Sequence, residues 1–306
     1  MRENTLMSEF GLTEESPIIG NKYKIQSCIS NGSFGYVFKG NHIKNSGETV
    51  AIKIEKNSAM KSLKHETKIL NYLYSNKIRK IPAIYWYGLF DDCQCIVFTY
   101  YECSLSDYIM RKPLEPHIIN GIMTKMVDII SQIHSKYVLH RDLKPSNFMI
   151  KSGDLFVIDF GLSTFYIDEN RIHYPNEKSD TIIGSPKYIS IRIFEGNKYS
   201  RRDDIISLAY IYMFMVLKDT PWEPTDYSPE NVLDETIQTC GELNIDHPKN
   251  RMRYENRILI KFFEICGGNL GGNSRIFEFF EYIYGLDYEE CPEYSYITDL
   301  FALGKA

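Results

Sequence analysis

No stretch of this 306-residue chain is apolar for long enough to cross a bilayer. The longest apolar run, Leu208 to Leu217, falls well short of the roughly 20 residues of a spanning helix and reads instead as a buried one. The first ten residues, MRENTLMSEF, lack the apolar core of a secretory signal, and the last six, FALGKA, lack a prenylation motif. No membrane partner is therefore expected. The seven cysteines, Cys28, Cys93, Cys95, Cys103, Cys240, Cys266 and Cys291, form no CxxC pair and no Cys/His cluster with zinc spacing. They are expected as reduced thiols, with the chain in the cytosol and the nucleus as an alternative. A positive balance is missing too: the net charge is −5, which argues against a general polyanion binder, so no direct nucleic-acid partner is expected. There is no internal repeat and no low-complexity segment. A monomer is expected.

The chain is long enough for one large domain or two coupled lobes, and its 43% hydrophobic content suffices for a sizeable core. Residues 1–22 are mostly polar with little periodicity and are expected to form a flexible arm. Alternation of apolar and polar residues predicts strands at Tyr23 to Ser30, Tyr36 to Ile43 and Thr49 to Glu55, then near Ile84 to Leu89 and Gln94 to Thr99. Between them, Leu63, Glu66, Ile69, Leu70 and Leu73 repeat at helical spacing. From Pro116 the pattern turns helical, with Ile118, Ile122, Met126, Ile129, Ile130 and Ile133 on one stripe. Arg201 to Leu217 predicts a second, more buried helix. Strands with one helix, then mostly helices, predict an α+β, two-lobed architecture. The expected bounds are 23–98 for the small lobe, 99–103 for a hinge and 104–303 for the large lobe. Residues 224–275 are the least legible.

Four strings carry chemistry. His140 to Asn147 reads HRDLKPSN. A strand-like run, Leu155 to Ile158, separates it from Asp159-Phe160-Gly161. Phosphoryl transfer needs such parts. Asp142 is placed to accept the proton of an attacking hydroxyl. Lys144, two residues on, suits the transferred phosphoryl group. Asn147 and Asp159 offer hard oxygen ligands of the kind Mg²⁺ prefers. Upstream, Val50-Ala51-Ile52-Lys53 is a strand carrying a cation, and Glu66 on the next helix is its candidate partner. The turn Ser30 to Val37, SNGSFGYV, would let backbone amides approach phosphates. Alone it would be an ordinary hairpin; its place ahead of AIK favours the phosphate reading.

These residues resemble the eukaryotic protein-kinase superfamily over about Tyr23 to Leu303. HRDLKPSNFMI, IDFGLS, Lys187 to Ile191 (KYISI), Ser200 to Leu208 (SRRDDIISL) and Pro292 to Tyr296 (PEYSY) are similar in order to segments of the casein kinase I family. The vaccinia-related kinases are the nearest alternative subgroup. The resemblance implies a bilobal fold with ATP and Mg²⁺ in a cleft, and transfer to Ser or Thr of protein substrates. It implies an ATP-binding set of Ile29, Ser30, Asn31, Gly32, Ser33, Phe34, Gly35, Val37, Ala51, Lys53, Glu66, Phe98 and Tyr101. Phe98 would close the back of the adenine pocket and Tyr101 would supply a hinge backbone contact. Asp142 and Lys144 would serve catalysis, Asn147 and Asp159 the metal, and Ser185 and Lys187 the substrate side. Asp204 would hold the HRD backbone.

Several residues depart from that pattern. Ser30 replaces the first glycine of GxGxxGxV. Lys187 replaces an Arg that helps the family bind acidic or phosphorylated substrates, and Arg192 replaces an Asn. After Pro221-Trp222 the family has a basic run, whereas this chain carries Glu223, Asp226, Glu230, Asp234 and Glu235. Ser179 and Thr181 are candidate phosphosites before the GSP segment. A pseudokinase scaffold and a small-molecule phosphotransferase remain as rival readings. The first would want one of Lys53, Asp142, Asn147 or Asp159 lost, and none is; the intact RRDD helix speaks against the second.

Overall fold

The computed structural model describes residues 17–32, 35–45, 47–56, 62–90, 93–179, 181–219, 237–239 and 275–302. The chain divides into two compact units, Met1–Glu102 and Cys103–Ala306. The dividing point lies within the segment expected as a hinge.

The first unit is a six-stranded antiparallel sheet with one helix. Its strands are β1 (Ile18–Ile19), β2 (Tyr23–Gly32), β3 (Gly35–His42), β4 (Thr49–Lys56), β5 (Ile84–Phe90) and β6 (Cys93–Thr99), in the order β1-β2-β3-β4-β6-β5. Alternation places Ile25, Phe38, Val50, Ile52, Ile54 and Val97 in one core. Helix α1 (Ser62–Ser75) packs on β5 and β6 and buries Leu63, Glu66, Ile69, Leu70 and Leu73, the set that helical spacing predicts. The expected arm is corrected at its end. Ile18 and Ile19 pair with Lys24 and Tyr23, and Ile19 is fully buried. Two residues are too few to show alternation, and a turn at Gly20 and Asn21, both at positive φ, hides the pairing from a pattern reading. The rest of the arm, residues 1–16, lies outside the described residues.

The second unit is mostly helical. Strand β7 (Cys103–Ser104) leads into α2 (Leu105–Arg111), which Ser104 caps by accepting from the Asp107 amide. Helix α3 (Pro116–His134) starts with proline at its first position, where no amide donor is needed. Of its predicted stripe, Met126, Ile129, Ile130 and Ile133 are buried. In the first two turns Ile119 and Met123 are buried instead of Ile118 and Ile122, which are only half-buried. The stripe faces α5 (Arg201–Leu217) and α7 (Tyr294–Phe301), and α6 (Arg275–Gly285) packs on both of those helices. Helix α5 is buried from Arg202 through Met213, as its nearly continuous apolar run demands. Short strands β8 (Val138–Leu139), β9 (Phe148–Lys151), β10 (Asp154–Val157), β11 (Thr164–Phe165), β12 (Thr181–Ile183) and β13 (Ile237–Thr239), with the four-residue helix α4 (Ile191–Phe194), complete the described part. The acidic stretch Glu223 to Glu235 lies outside the described residues, as do Ser33, Phe34 and residue 303.

Candidate active site

In the first unit, β4 pairs with β3 so that Lys53 lies opposite Val37, and with β6 so that Ala51 lies opposite Phe98. The β2–β3 hairpin closes with Gly32 opposite Gly35. Gly35 has φ +113, and a Cβ there would stand 2.3 Å from the Ile54 carbonyl oxygen, so only glycine fits. Ser30 lies opposite Val37, and the register shift between Cys28 and Ser30 leaves Ile29 as an extra, exposed residue of a bulge. Ser30 is not among the positive-φ residues, so its backbone makes no demand for glycine. Lys53 Nζ donates to Glu66 Oε2 at 2.9 Å, and both side chains are buried. Breaking such a pair costs about 3–5 kcal/mol, because the survivor is left buried and uncompensated. Tyr101 is buried, and burial raises its phenol pKa well above the usual value; Phe98 is half-buried.

A carboxylate absent from the predicted set also reaches α1. Glu55 accepts from Ser62 Oγ at 2.9 Å on each of its oxygens and from the Leu63 amide at 3.1 Å. Its one sequence signal is position: it stands two residues beyond Lys53, on the same face of β4.

In the second unit, Asp142, Lys144, Asn147 and Ser185 form one hydrogen-bonded network. Asp142 Oδ1 accepts from the Ser185 amide at 2.9 Å and from its hydroxyl at 2.7 Å. Oδ2 accepts from Asn147 Nδ2 at 3.0 Å and pairs with Lys144 Nζ at 2.9 Å. Lys144 also donates to Ser185 Oγ at 2.8 Å, so that hydroxyl donates to Asp142 while accepting from the lysine. Asn147 donates as well to the Asp142 carbonyl at 2.8 Å, which leaves its own carbonyl oxygen as the side-chain atom that could hold a cation. The 3₁₀ turn Pro145–Asn147 and β9 to β10 connect this network to Asp159.

Two non-glycine residues here hold positive φ, Arg141 and Asp159, both at +67°. That conformation costs roughly 1–2 kcal/mol per residue and persists where the surroundings over-determine it. The surroundings are plain at Arg141. Asp204, near the start of α5, accepts from the His140 amide at 2.8 Å and from the Arg141 amide at 2.9 Å, as the resemblance implies. The Arg141 Nε donates to the Leu162 carbonyl at 2.6 Å. His140 accepts from the Asp142 amide on Nδ1 and donates from Nε2 to the Ile158 carbonyl, which sets its tautomer. His134 donates from Nε2 to Asp204 Oδ2 at 2.9 Å and accepts from the Tyr294 hydroxyl at 2.6 Å. Burial lowers the His134 pKa, outweighing the pull of Asp204. Burial pushes Asp204 up, but hydrogen bonds from His134 and the His140 amide bring it below the usual carboxylate value.

On the substrate side, Gly184 has φ +104, and a Cβ would meet the Arg141 carbonyl at 2.5 Å. Ser185 follows it into the network, while Lys187 is half-buried. The other cations nearby in sequence are engaged. Arg192 donates to the Tyr284 carbonyl at 2.6 Å, Arg201 to the Glu289 carbonyl while stacking on Tyr166, and Arg202 to the Leu286 carbonyl at 3.0 Å; Lys198 pairs with Glu177. Ser179 and Thr181 line a cavity of about 300 Å³ with Arg141, Lys198 and Tyr199.

The first unit thus presents a buried, directed cation beneath a glycine hairpin. The second presents an oriented carboxylate with a lysine, an amide oxygen and a second carboxylate following in sequence. Ser33 and Phe34, predicted for the hairpin tip, fall outside the described residues. The protein kinase domain family model matches residues 23–279, most of the chain, and the chain belongs to that family.

Proposed function

We propose that the protein is an ATP- and Mg²⁺-dependent serine/threonine protein kinase of the casein kinase I type. The observation that carries this reading is the Asp142 network. A general base must be aimed, and four donors from Ser185, Asn147 and Lys144 aim one buried carboxylate. Lys144 stands beside the base, where a cation can meet negative charge on a phosphoryl group moving to an alcohol. Lys53, directed by Glu66, suits the α- and β-phosphates, and the hairpin amides suit their oxygens. The donor set fits the cation as well. The Asn147 carbonyl oxygen and the Asp159 carboxylate are hard oxygen ligands, and Mg²⁺ characteristically takes one or two such side chains and completes its shell with phosphate and water. When bound, Mg-ATP supplies the transferable phosphoryl group and neutralises part of its charge.

The acceptor class follows from Lys144 and from the five casein kinase I-like segments. With Lys187 in place of arginine, the reading includes weak dependence on acidic or phosphorylated residues upstream of the acceptor. Protein substrates are therefore expected, with the chain acting as a monomer in the cytosol or nucleus. The test is transfer from γ-labelled ATP to casein with and without Mg²⁺, followed by phosphoamino-acid analysis. Label on serine and threonine, lost without Mg²⁺, is expected. Absence of transfer, or label on tyrosine alone, would overturn the proposal.

A further inference from the structure

Lys53 and Glu55 leave the same face of β4, two residues apart, and both end on α1. Lys53 holds Glu66 at 2.9 Å, while Glu55 holds Ser62 Oγ at 2.9 Å and the Leu63 amide at 3.1 Å. Ser62 and Leu63 precede Glu66 by four and three positions, so the two attachments are one helical turn apart. A helix tied only at Glu66 could pivot about that point. A second tie one turn away removes the pivot. The second tie also serves the helix itself. α1 has no acidic residue in its first turn, where Lys64 and His65 stand instead. Negative charge and a hydrogen-bond acceptor for an orphan amide therefore come from Glu55 across the sheet. Glu55 is buried, and the proposed transfer chemistry gives its carboxylate no role of its own.

We infer that Glu55 and Ser62 form a latch that fastens the start of α1 and so keeps Glu66 on Lys53. Glu55 is a positioning residue: it acts on the phosphates only through that pair. Ser62 is the part of the latch open to change, since its hydroxyl is the group that bridges both carboxylate oxygens. A negative charge placed there would face Glu55 and push the helix start away. The inference rests on the kinase reading of Lys53 and Glu66.

Double-mutant kinetics on the full chain, with casein and Mg-ATP, test it. Glu55→Ala and Ser62→Ala are each made in the wild-type and in the Glu66→Gln background. In the wild type each is expected to lower kcat/KM by about tenfold, mainly through KM for ATP. In the Glu66→Gln background each should cost less than about twofold, because no pair is left to position. Glu55→Gln, which still accepts a hydrogen bond, should recover part of the loss, and Ser62→Asp should be at least as damaging as Ser62→Ala. Amide exchange across residues 62–75 should speed up in the same variants. Equal losses in both backgrounds would show a scaffold effect and overturn the latch, as would wild-type kinetics with unchanged exchange. Should Glu55→Ala fail to fold, the Ser62→Ala cycle decides. Full activity of both Lys53→Met and Glu66→Gln is a separate outcome: it would remove the kinase role of the pair, and the latch with it.

Discussion

At the scale of single residues, the carboxylate of Asp142 and the ammonium of Lys53 have different duties and should fail differently. Asp142→Asn keeps an acceptor for the Ser185 donors but cannot take a proton. We expect it to abolish turnover on casein while Mg-ATP binding, read by calorimetry, stays within about threefold of wild type. Lys53→Met should lower kcat by orders of magnitude and strand Glu66 in the core, with some loss of stability. Near wild-type turnover by Asp142→Asn would show that another group is the base. Ser30 makes a milder prediction. Its φ is ordinary and it sits in a regular pair with Val37, so a glycine is not required by the backbone. What its Cβ can do is limit approach to phosphate. Ser30→Gly should leave activity equal or raise it through a lower KM for ATP, and a large loss would reveal a positive role for the hydroxyl. That Asp142, Lys144 and Asn147 stand together was legible from spacing, because they lie within one short loop. Glu55 was not, because its partners on α1 come from tertiary packing that no local pattern records.

Among the elements, helix α5 does most to hold the loop of Asp142, through Asp204 at its first turn. Asp204→Ala would leave the His140 and Arg141 amides without acceptors and remove the partner of His134. Each buried unsatisfied group costs about 1–3 kcal/mol, so the variant should fold poorly or lose several kcal/mol in urea melts. The His134 pKa gives a pH signature. Its folded value lies below the unfolded value of 6.5, so the unfolded chain takes the proton first as pH falls. Stability is then fully present above about pH 6.5 and declines below it. Asp204 works in a lower window: its depressed folded value stabilises the fold above pH 3.8, and that part is lost only in stronger acid. Urea midpoints measured from pH 7 to pH 5 should fall in the wild type and fall less in His134→Gln. Parallel slopes would refute the assignment to His134. Helices and central strands were readable because each repeats its period several times, as in Leu63 to Leu73. The buried face at the start of α3 was not, since Ile118 and Ile119 are the same residue type and no local pattern chooses between them. β1 escaped for want of length.

For the whole molecule, the remaining question is which proteins it modifies. A phosphorylated or acidic determinant needs clustered cations, and arginine meets phosphate best through two parallel hydrogen bonds. Arg192, Arg201 and Arg202 are all tied to backbone carbonyls of the segment 284–289, and Lys198 is paired with Glu177. For one serine peptide with alanine, aspartate or phosphoserine three residues upstream, kcat/KM should vary by less than about tenfold, or 1.4 kcal/mol. A hundredfold preference for the phosphopeptide would sink this expectation. The division of the chain has a practical consequence. The second unit begins at Cys103, and a cysteine at the head of a fragment is the residue that captures a thioester through its thiol and then rearranges to an ordinary peptide bond. The chain can thus be assembled from residues 1–102 and 103–306 without leaving a foreign atom, with isotopes in one half only, so that spectra of the latch and of the Asp142 loop are recorded separately in the same intact enzyme.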